Sequence, residues 1–442
     1  MLVEEKSTPK EQVAAEHHRA VGKLFDRGIW CVLGPGVTTG ASDDDPSGIA
    51  TYSQAGAAFG FALLWTLLLT LPLMAAIQEV SARIGRVTGR GIAGNLVRHY
   101  SKWFTVPLIL ILVIANVINL GADIEAMGAA IKLLIGGPAV VYSVALALLG
   151  VTLQVFAPYR KYASFCKVLA AVLLVYVAAV FFIHVPWLEV IRHTVIPTMP
   201  LTGSAMAMVI AVLGTTISPY LFFWQASQET EEICDDVSAS SLKVSPHAAR
   251  LQFARIRLDT ITGMTLSNGV AFFIILTAAA TLHARGVTNI NTAEDAAKAL
   301  QPIAGNAAFF LFTLGILGTG MLAVPVLAGS AAYAVGEAFN WRTGMDEPAR
   351  KAPGFYGVMV AATLIGLGLT LIGVNPIKAL IWSAVINGVA AVPIMVIVML
   401  MFSNPRVMGR FAGTGRWLKI MGWIATAFMA AAAIGLFATW GK

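Results

Sequence analysis

Charge is what this sequence has least of. Only 12% of its 442 residues are charged, about half the roughly 25% usual in soluble domains. Cysteine is nearly as scarce. Cys31, Cys166 and Cys234 stand singly, with no CxxC and no Cys/His spacing, so neither a disulfide framework nor a zinc site can be read and the thiols are expected to pack as small apolar groups. The seven His lie mostly in polar segments or near the ends of apolar runs and suggest no metal cluster. GxxxxGK[ST], HExxH and GxSxG are missing, and with them the phosphate loop, zinc-protease helix and nucleophile elbow; no enzyme is expected. The alternating ten-residue segments of a strand barrel are absent too. The first 28 residues are charged and lack the apolar stretch of a cleavable signal. They read as a cytoplasmic arm.

What is there is apolar sequence in long runs. Hydrophobic residues make up 57% of the chain, and 104–122 (FTVPLILILVIANVINLGA), 168–183 and 377–402 each approach or reach the roughly 20 residues that cross a bilayer as a helix. The pattern predicts an all-α polytopic membrane protein with eleven spans, at about 30–54, 58–82, 104–134, 138–157, 162–185, 203–232, 258–283, 304–336, 355–374, 377–402 and 416–440. The net charge of +7 does not mark a nucleic-acid partner. With the N-terminus inside, 23 Lys/Arg fall in cytoplasmic segments, while only Arg192, Arg285, Lys298 and Lys442 fall outside. That is the positive-inside asymmetry, and it places the chain in the inner (plasma) membrane with its C-terminus external. The lipid bilayer is thus one expected partner, and oligomeric state is not legible. The organisation is an arm at 1–28, a ten-helix core at 29–402, and a cytoplasmic loop with the eleventh span at 403–442. Polar segments at 233–257 (inside) and 284–303 (outside) are too short to be domains; the second carries Asn291, Glu294 and Asp295 and has room for a short helix.

Two spans are built differently. The first reads WCVLGPGVTTGASDDDPSGIATYSQAG and the sixth MAMVIAVLGTTISPYLFFWQASQETEE. Each places a proline among Gly, Ser and Thr near its middle, which removes a backbone donor and clashes with the previous turn. Breaks of this kind survive at membrane depth only where protein or a water-filled cavity satisfies the freed backbone. The sixth span lies five crossings after the first, so the two broken segments run in opposite directions. An inverted repeat of spans 1–5 and 6–10 predicts this, with the substrate site at the repeat interface.

Asp43, Asp44 and Asp45 stand at the first break. One Asp at a helix centre costs about 2.5–3.5 kcal/mol on insertion scales, so three must face water, a cation or polar partners. Asp43 and Asp44 suit helix-end capping or pairing, or a vestibule or relay role. Asp45, ahead of Pro46, suits capping the outer half-helix at the edge of a cavity. Thr215, Thr216, Ser218 and Tyr220 offer hydroxyls and unwound carbonyls opposite, and helix C-termini add partial negative charge. One carboxylate among neutral oxygens, without Met, Cys or His, is a site for a hard cation such as Mg²⁺.

GPGVTTGASDDDPSGIATYSQAGAAFGFALLW resembles the first-helix region of the NRAMP divalent-metal transporters, and GTTISPYLFFWQAS resembles their sixth-helix motif. The likeness runs more thinly from about residue 28 to 400. It implies a leucine-transporter-type fold, alternating access, and a transported divalent cation rather than a bound cofactor. In the family the first motif is Asp-Pro-Gly-Asn; here it is Asp45-Pro46-Ser47-Gly48, which keeps the Asp and puts Gly48 in the place of the metal-binding Asn. The family's Met-Pro-His becomes Ser218-Pro219-Tyr220, and Thr215 stands where an Ala carbonyl binds metal. The thioether that favours Mn²⁺ and Fe²⁺ is therefore gone. The family's proton route uses acidic residues on span 3 and basic residues on span 9. Here span 3 has Asp123 and Glu125, Glu125 being the better match, either of which could instead bond the span 1 or span 6 backbone, while 355–374 holds no Lys or Arg. These departures resemble the NRAMP-related magnesium transporters, whose wider site takes a partly hydrated ion, in keeping with the reluctance of Mg²⁺ to shed water.

The expectation is alternating-access transport of Mg²⁺, with Mn²⁺ as the second candidate and weak or no proton coupling. Asp45, Thr215 and Ser218 would be metal ligands, with Gly48 and Tyr220 lining the site. Two alternatives stay open: a proton-coupled Mn²⁺/Fe²⁺ importer using Asp123 or Glu125, and a cation-coupled organic-solute symporter. Glu229, Glu231 and Glu232 end span 6 as a solvated helix end or an acidic vestibule. Glu79 and Arg83 read as a structural ion pair or snorkelling helix ends, with gate residues as the alternative. Asn387 and Ser383 on span 10 could approach the ion through water. Asn116, Asn119 and Asn268 read as helix bridges, and Gly315, Gly318 and Gly320 as close helix contacts.

Overall fold

The computed structural model describes residues 34–157, 166, 168–200, 202–235, 241–244, 246–371, 373 and 375–439. The N-terminal arm and Cys31 lie outside them. Among the described residues all regular structure is helical.

The first apolar run breaks where its proline stands. Helix α1 (Pro35–Asp43) stops, Asp44 bends away (φ −82°, ψ 51°), Asp45 is extended (φ −68°, ψ 171°), and α2 (Pro46–Phe59) begins. Extended backbone is what a residue preceding proline must adopt. A 3₁₀ turn at Gly60–Leu63 leads into α3 (Leu64–Thr88). The short α4 (Ile92–His99) joins it to α5 (Lys102–Ile135) and α6 (Ala139–Phe156). Then come α7 (Leu174–Ala179) and the amphipathic α8 (Trp187–Val195). The second break repeats the first: α9 (Gly203–Thr216) ends at Ile217 (φ −117°, ψ 56°), and α10 (Pro219–Asp235) starts after Ser218. The chain continues through α11 (Ala249–Thr281), the short α12 (Ala293–Ala297), α13 (Ala308–Ala338), α14 (Pro353–Thr370), α15 (Pro376–Ser403) and α16 (Arg416–Thr439).

Nine helices among the described residues are long and apolar enough to cross a membrane, where eleven spans are expected from the sequence. Two features account for the difference. Pro46–Thr88 is one unbroken run of 43 residues by length and composition, yet it turns at Gly60 (φ 58°) and so holds both the outer half of span 1 and span 2. The expected fifth span lies partly outside the described residues, and its apolar remainder, Val168–Ala179, is a shorter helix. Helix α11 starts at Ala249 rather than near 258, because its added polar turns find carboxylate partners on α3 and α10.

The packing carries the repeat that the sequence hides. If element i of the first half matches i+5 of the second, every contact should have an exchanged twin. The halves of span 1 pack on α11 (span 7), and α10 (second half of span 6) packs on α3 (span 2). Spans 3 and 4 (α5, α6) pack as spans 8 and 9 do (α13, α14). The pairs 2–7 (α3·α11) and 3–8 (α5·α13) map onto themselves. Small residues set the spacing. A Cβ on Gly40 of α1 would stand 2.3 Å from Gly263 O of α11, and one on Gly318 would stand 2.7 Å from the Leu169 carbonyl carbon. Leu148 and Phe437, on α6 and α16, are exposed, as side chains that meet lipid are.

Candidate cation site at the two helix breaks

Asp45 is 2% exposed and organises the first break. Its Oδ1 accepts from Gly48 N at 2.7 Å and Ser47 Oγ at 2.8 Å, so it caps α2 in the usual N-cap manner. Its Oδ2 accepts from Asn119 Nδ2 of α5 at 2.9 Å, and Asn119 Oδ1 accepts from Ser383 Oγ of α15 at 2.8 Å. One polar chain therefore ties spans 1, 3 and 10 together at the level of the break. Asn119 does bridge helices, as its residue type suggested. That its partner is Asp45 was not legible.

Asp43 and Asp44 turn the other way. Ser267 Oγ of α11 lies 2.5 Å from Asp43 Oδ2 and 3.2 Å from Asp44 Oδ1, so both carboxylates face span 7 rather than Asp45. At the second break Thr215 Oγ1 donates to Val212 O at 2.9 Å, and Ser218 Oγ donates to Gly214 O at 2.6 Å and Thr215 O at 2.8 Å. Both hydroxyls have turned back on α9, which leaves their acceptor lone pairs but not their protons. The breaks touch through Tyr220, whose hydroxyl donates to Ser42 O at 3.1 Å. Asn387 is buried one turn beyond Ser383 on the same face of α15, its Oδ1 unpartnered. No group of three or more His, Cys, Asp or Glu among the described residues is placed to hold a metal ion. A cation here would meet one or two carboxylates, backbone oxygens, hydroxyls and its own water.

The two sides of the break differ. On the side of α2 and the end of α5, a cavity of about 590 Å³ is lined by Ala50, Glu125, Ala126, Lys132, Glu294 and Leu380, among others. Its floor is close to the site, since Leu380 precedes Ser383 by one turn. Glu125 thus faces the cavity and not the break. On the other side Arg255 of α11 pairs with Glu229 and, at 3.0 Å, with Glu232 of α10. Glu229 is fully buried there, as neither a solvated helix end nor an open vestibule would have it. Asp259 accepts from Gly34 N at 2.9 Å, Gly36 N at 2.7 Å and Val37 N at 3.1 Å, satisfying the orphan donors that begin α1. Glu231 accepts from Tyr333 and from Met345 N. Glu79 and Arg83 form a pair, joined by Arg257.

Two helices broken at mirrored positions, meeting at the centre of an inverted repeat, define a secondary transporter of the leucine-transporter fold. Within that class the chain belongs to the Nramp family: the profile described as "Natural resistance-associated macrophage protein-like" matches residues 36–439. Among curated relatives it is 26% identical over 409 residues to the divalent metal cation transporter MntH of Klebsiella pneumoniae (strain 342), covering 90% of this chain and 91% of that one. It is also 26% identical over 430 residues to MntH of Acidiphilium cryptum (strain JF-5), covering 94% and 92%. Among solved structures, the Eremococcus coleocola manganese transporter superposes with a TM-score of 0.74 at 18% identity, covering 94% of this chain and 88% of that chain. MhsT, solved with L-phenylalanine, superposes at 0.53 with 14% identity, covering 92% and 98%. These two show the shared fold.

Proposed function

We propose that this protein carries a divalent cation through the membrane by alternating access, with Mg²⁺ preferred, Mn²⁺ second, and little or no proton coupling. The observation that carries the proposal is Asp45: a buried carboxylate at the break, positioned by a helix cap and an amide from a third span, within a set of hard oxygen donors. Family membership and the MntH relatives support divalent-metal transport as the general activity. Ser218, in the place where the family carries Met, supports the preference for a hard ion that keeps part of its water. Thr215 and Ser218 would supply further oxygens, with Gly48 and Tyr220 shaping the space. Weak coupling is supported by α14, which has no Lys or Arg along Pro353–Thr370 and so offers no basic partner for a proton route. The positive-inside asymmetry supports a plasma-membrane location with a cytoplasmic N-terminus and an external C-terminus.

The test is isothermal titration of the purified protein with Mg²⁺, Mn²⁺ and Ca²⁺, alongside Asp45→Ala and Asp45→Asn. Asn caps helices about as well as Asp, so Asp45→Asn removes the charge and leaves the cap. Binding of Mg²⁺ and Mn²⁺ that both variants abolish is the expected result, with liposome flux falling in parallel. No binding of any divalent ion at millimolar concentration would overturn the metal assignment.

A further inference from the structure

Asp123 is 0% exposed, and neither of its carboxylate oxygens has a hydrogen-bond partner of good geometry. The backbone N–H of Ser47 on α2 faces it. An ionised carboxylate in that position has this amide where it needs several donors, and a protonated one lacks an acceptor for its O–H. Either way the protein alone leaves it short of partners, which is costly at membrane depth. Its place in the fold is specific. Asp123 lies one turn beyond Asn119 on the same face of α5, and Asn119 is bonded to Asp45. Ala126, on the next turn, lines the 590 Å³ cavity. Asp123 therefore stands between the cavity floor and Asp45. No Lys or Arg forms a salt bridge with either carboxylate among the described residues.

We propose that Asp123 is the second carboxylate of the cation site, facing the ion from span 3 while Asp45 faces it from span 1. This rests on Asp45 being the ion ligand and adds a consequence for charge. Two carboxylates neutralise a divalent cation, so the loaded site crosses the membrane uncharged and the empty site returns with both negative charges. Exchange of ion for ion uses only the loaded form, and a membrane potential acts only on net charge. Exchange should therefore be indifferent to potential, while net uptake should not.

The experiment uses the full-length protein in liposomes with the potential set by K⁺ and valinomycin. Exchange of external ²⁵Mg²⁺ for internal Mg²⁺ is read by mass spectrometry, and Mg²⁺ affinity by titration calorimetry. Asp123→Asn is expected to weaken Mg²⁺ binding by about tenfold or more and to make exchange sensitive to potential, because its loaded site keeps one positive charge. Asp123→Glu, which keeps the charge, should restore indifference to potential whatever its affinity, and it carries the test if the Asn variant does not fold. Unchanged affinity in Asp123→Asn would overturn the proposal. So would weaker binding with exchange still indifferent to potential, the mark of a merely structural residue. If the wild type binds Mg²⁺ but Asp45→Asn does not weaken it, the assignment of Asp45 itself has failed, and that result is distinct from either.

Discussion

Ser218 holds its hydroxyl against Gly214 O and Thr215 O, a geometry open to a short side chain and closed to a long one. A thioether at this position can donate no proton to those carbonyls and must project away from α9. Soft sulfur ligands favour Mn²⁺ over Mg²⁺. Ser218→Met is therefore expected to raise Mn²⁺ affinity relative to Mg²⁺ by about tenfold, or ~1.4 kcal/mol, read as the ratio of the two dissociation constants. Unchanged selectivity would mean that residue 218 does not face the ion. At this scale the sequence is informative about chemistry and poor on partners. Asp45 before Pro46 announces a helix cap, because the residue type and the break are adjacent. Nothing in the sequence singles out Asp259, because the amides it binds are 222 to 225 residues away. Ser267 and Asn119 are hidden for the same reason: a buried polar residue shows its need for a partner but not which one.

Helix breaks are local events, so a proline flanked by Asp or Ser in an apolar run shows both α1/α2 and α9/α10 directly. Helix ends in polar surroundings are not local, which is why α11 extends to Ala249, past the limit that hydropathy sets. Helix spacing lies between the two. Glycine in an apolar run signals a close contact without naming the neighbour. Gly214 on α9 packs on α15 so tightly that a Cβ would stand 2.0 Å from Ala384 O and 2.5 Å from Gly388 N. Both obstacles are backbone and cannot swing aside. Gly214→Ala is expected to destabilise by about 1–3 kcal/mol and to lower the melting temperature in detergent. Gly368→Ala is the control, since a Cβ there meets nothing within 4 Å and only helix propensity changes, in the stabilising direction. Equal melting temperatures for the two variants would mean that α9 and α15 are not held at this distance.

Across the whole molecule the two sides of the break are unlike. A cavity opens between α2, α5, α13 and α15, whereas α1, α10 and α11 are latched by charged groups. Asp259 holds the start of α1, and Arg255 on the same helix holds Glu229 and Glu232 of α10. Under the proposed alternating access the latched side must open as the cavity closes, so this network should bias the equilibrium. Removing Arg255 alone would strand the buried charge of Glu229, which costs about 3–5 kcal/mol and confuses folding with gating. Glu229→Gln together with Arg255→Gln takes both charges away and keeps hydrogen-bonding capacity. Thr39 of α1 is 0% exposed, on the latched side of Asp43. Thr39→Cys, with Cys31, Cys166 and Cys234 replaced, reports opening through its rate of reaction with a thiol reagent applied from that side. A network that couples at about 1–3 kcal/mol should, when removed, speed the labelling roughly tenfold and slow labelling of sites in the cavity. Identical rates in the two backgrounds would make the network a static brace, and the gate would then have to lie in the Glu79, Arg83 and Arg257 cluster that ties α3 to α11.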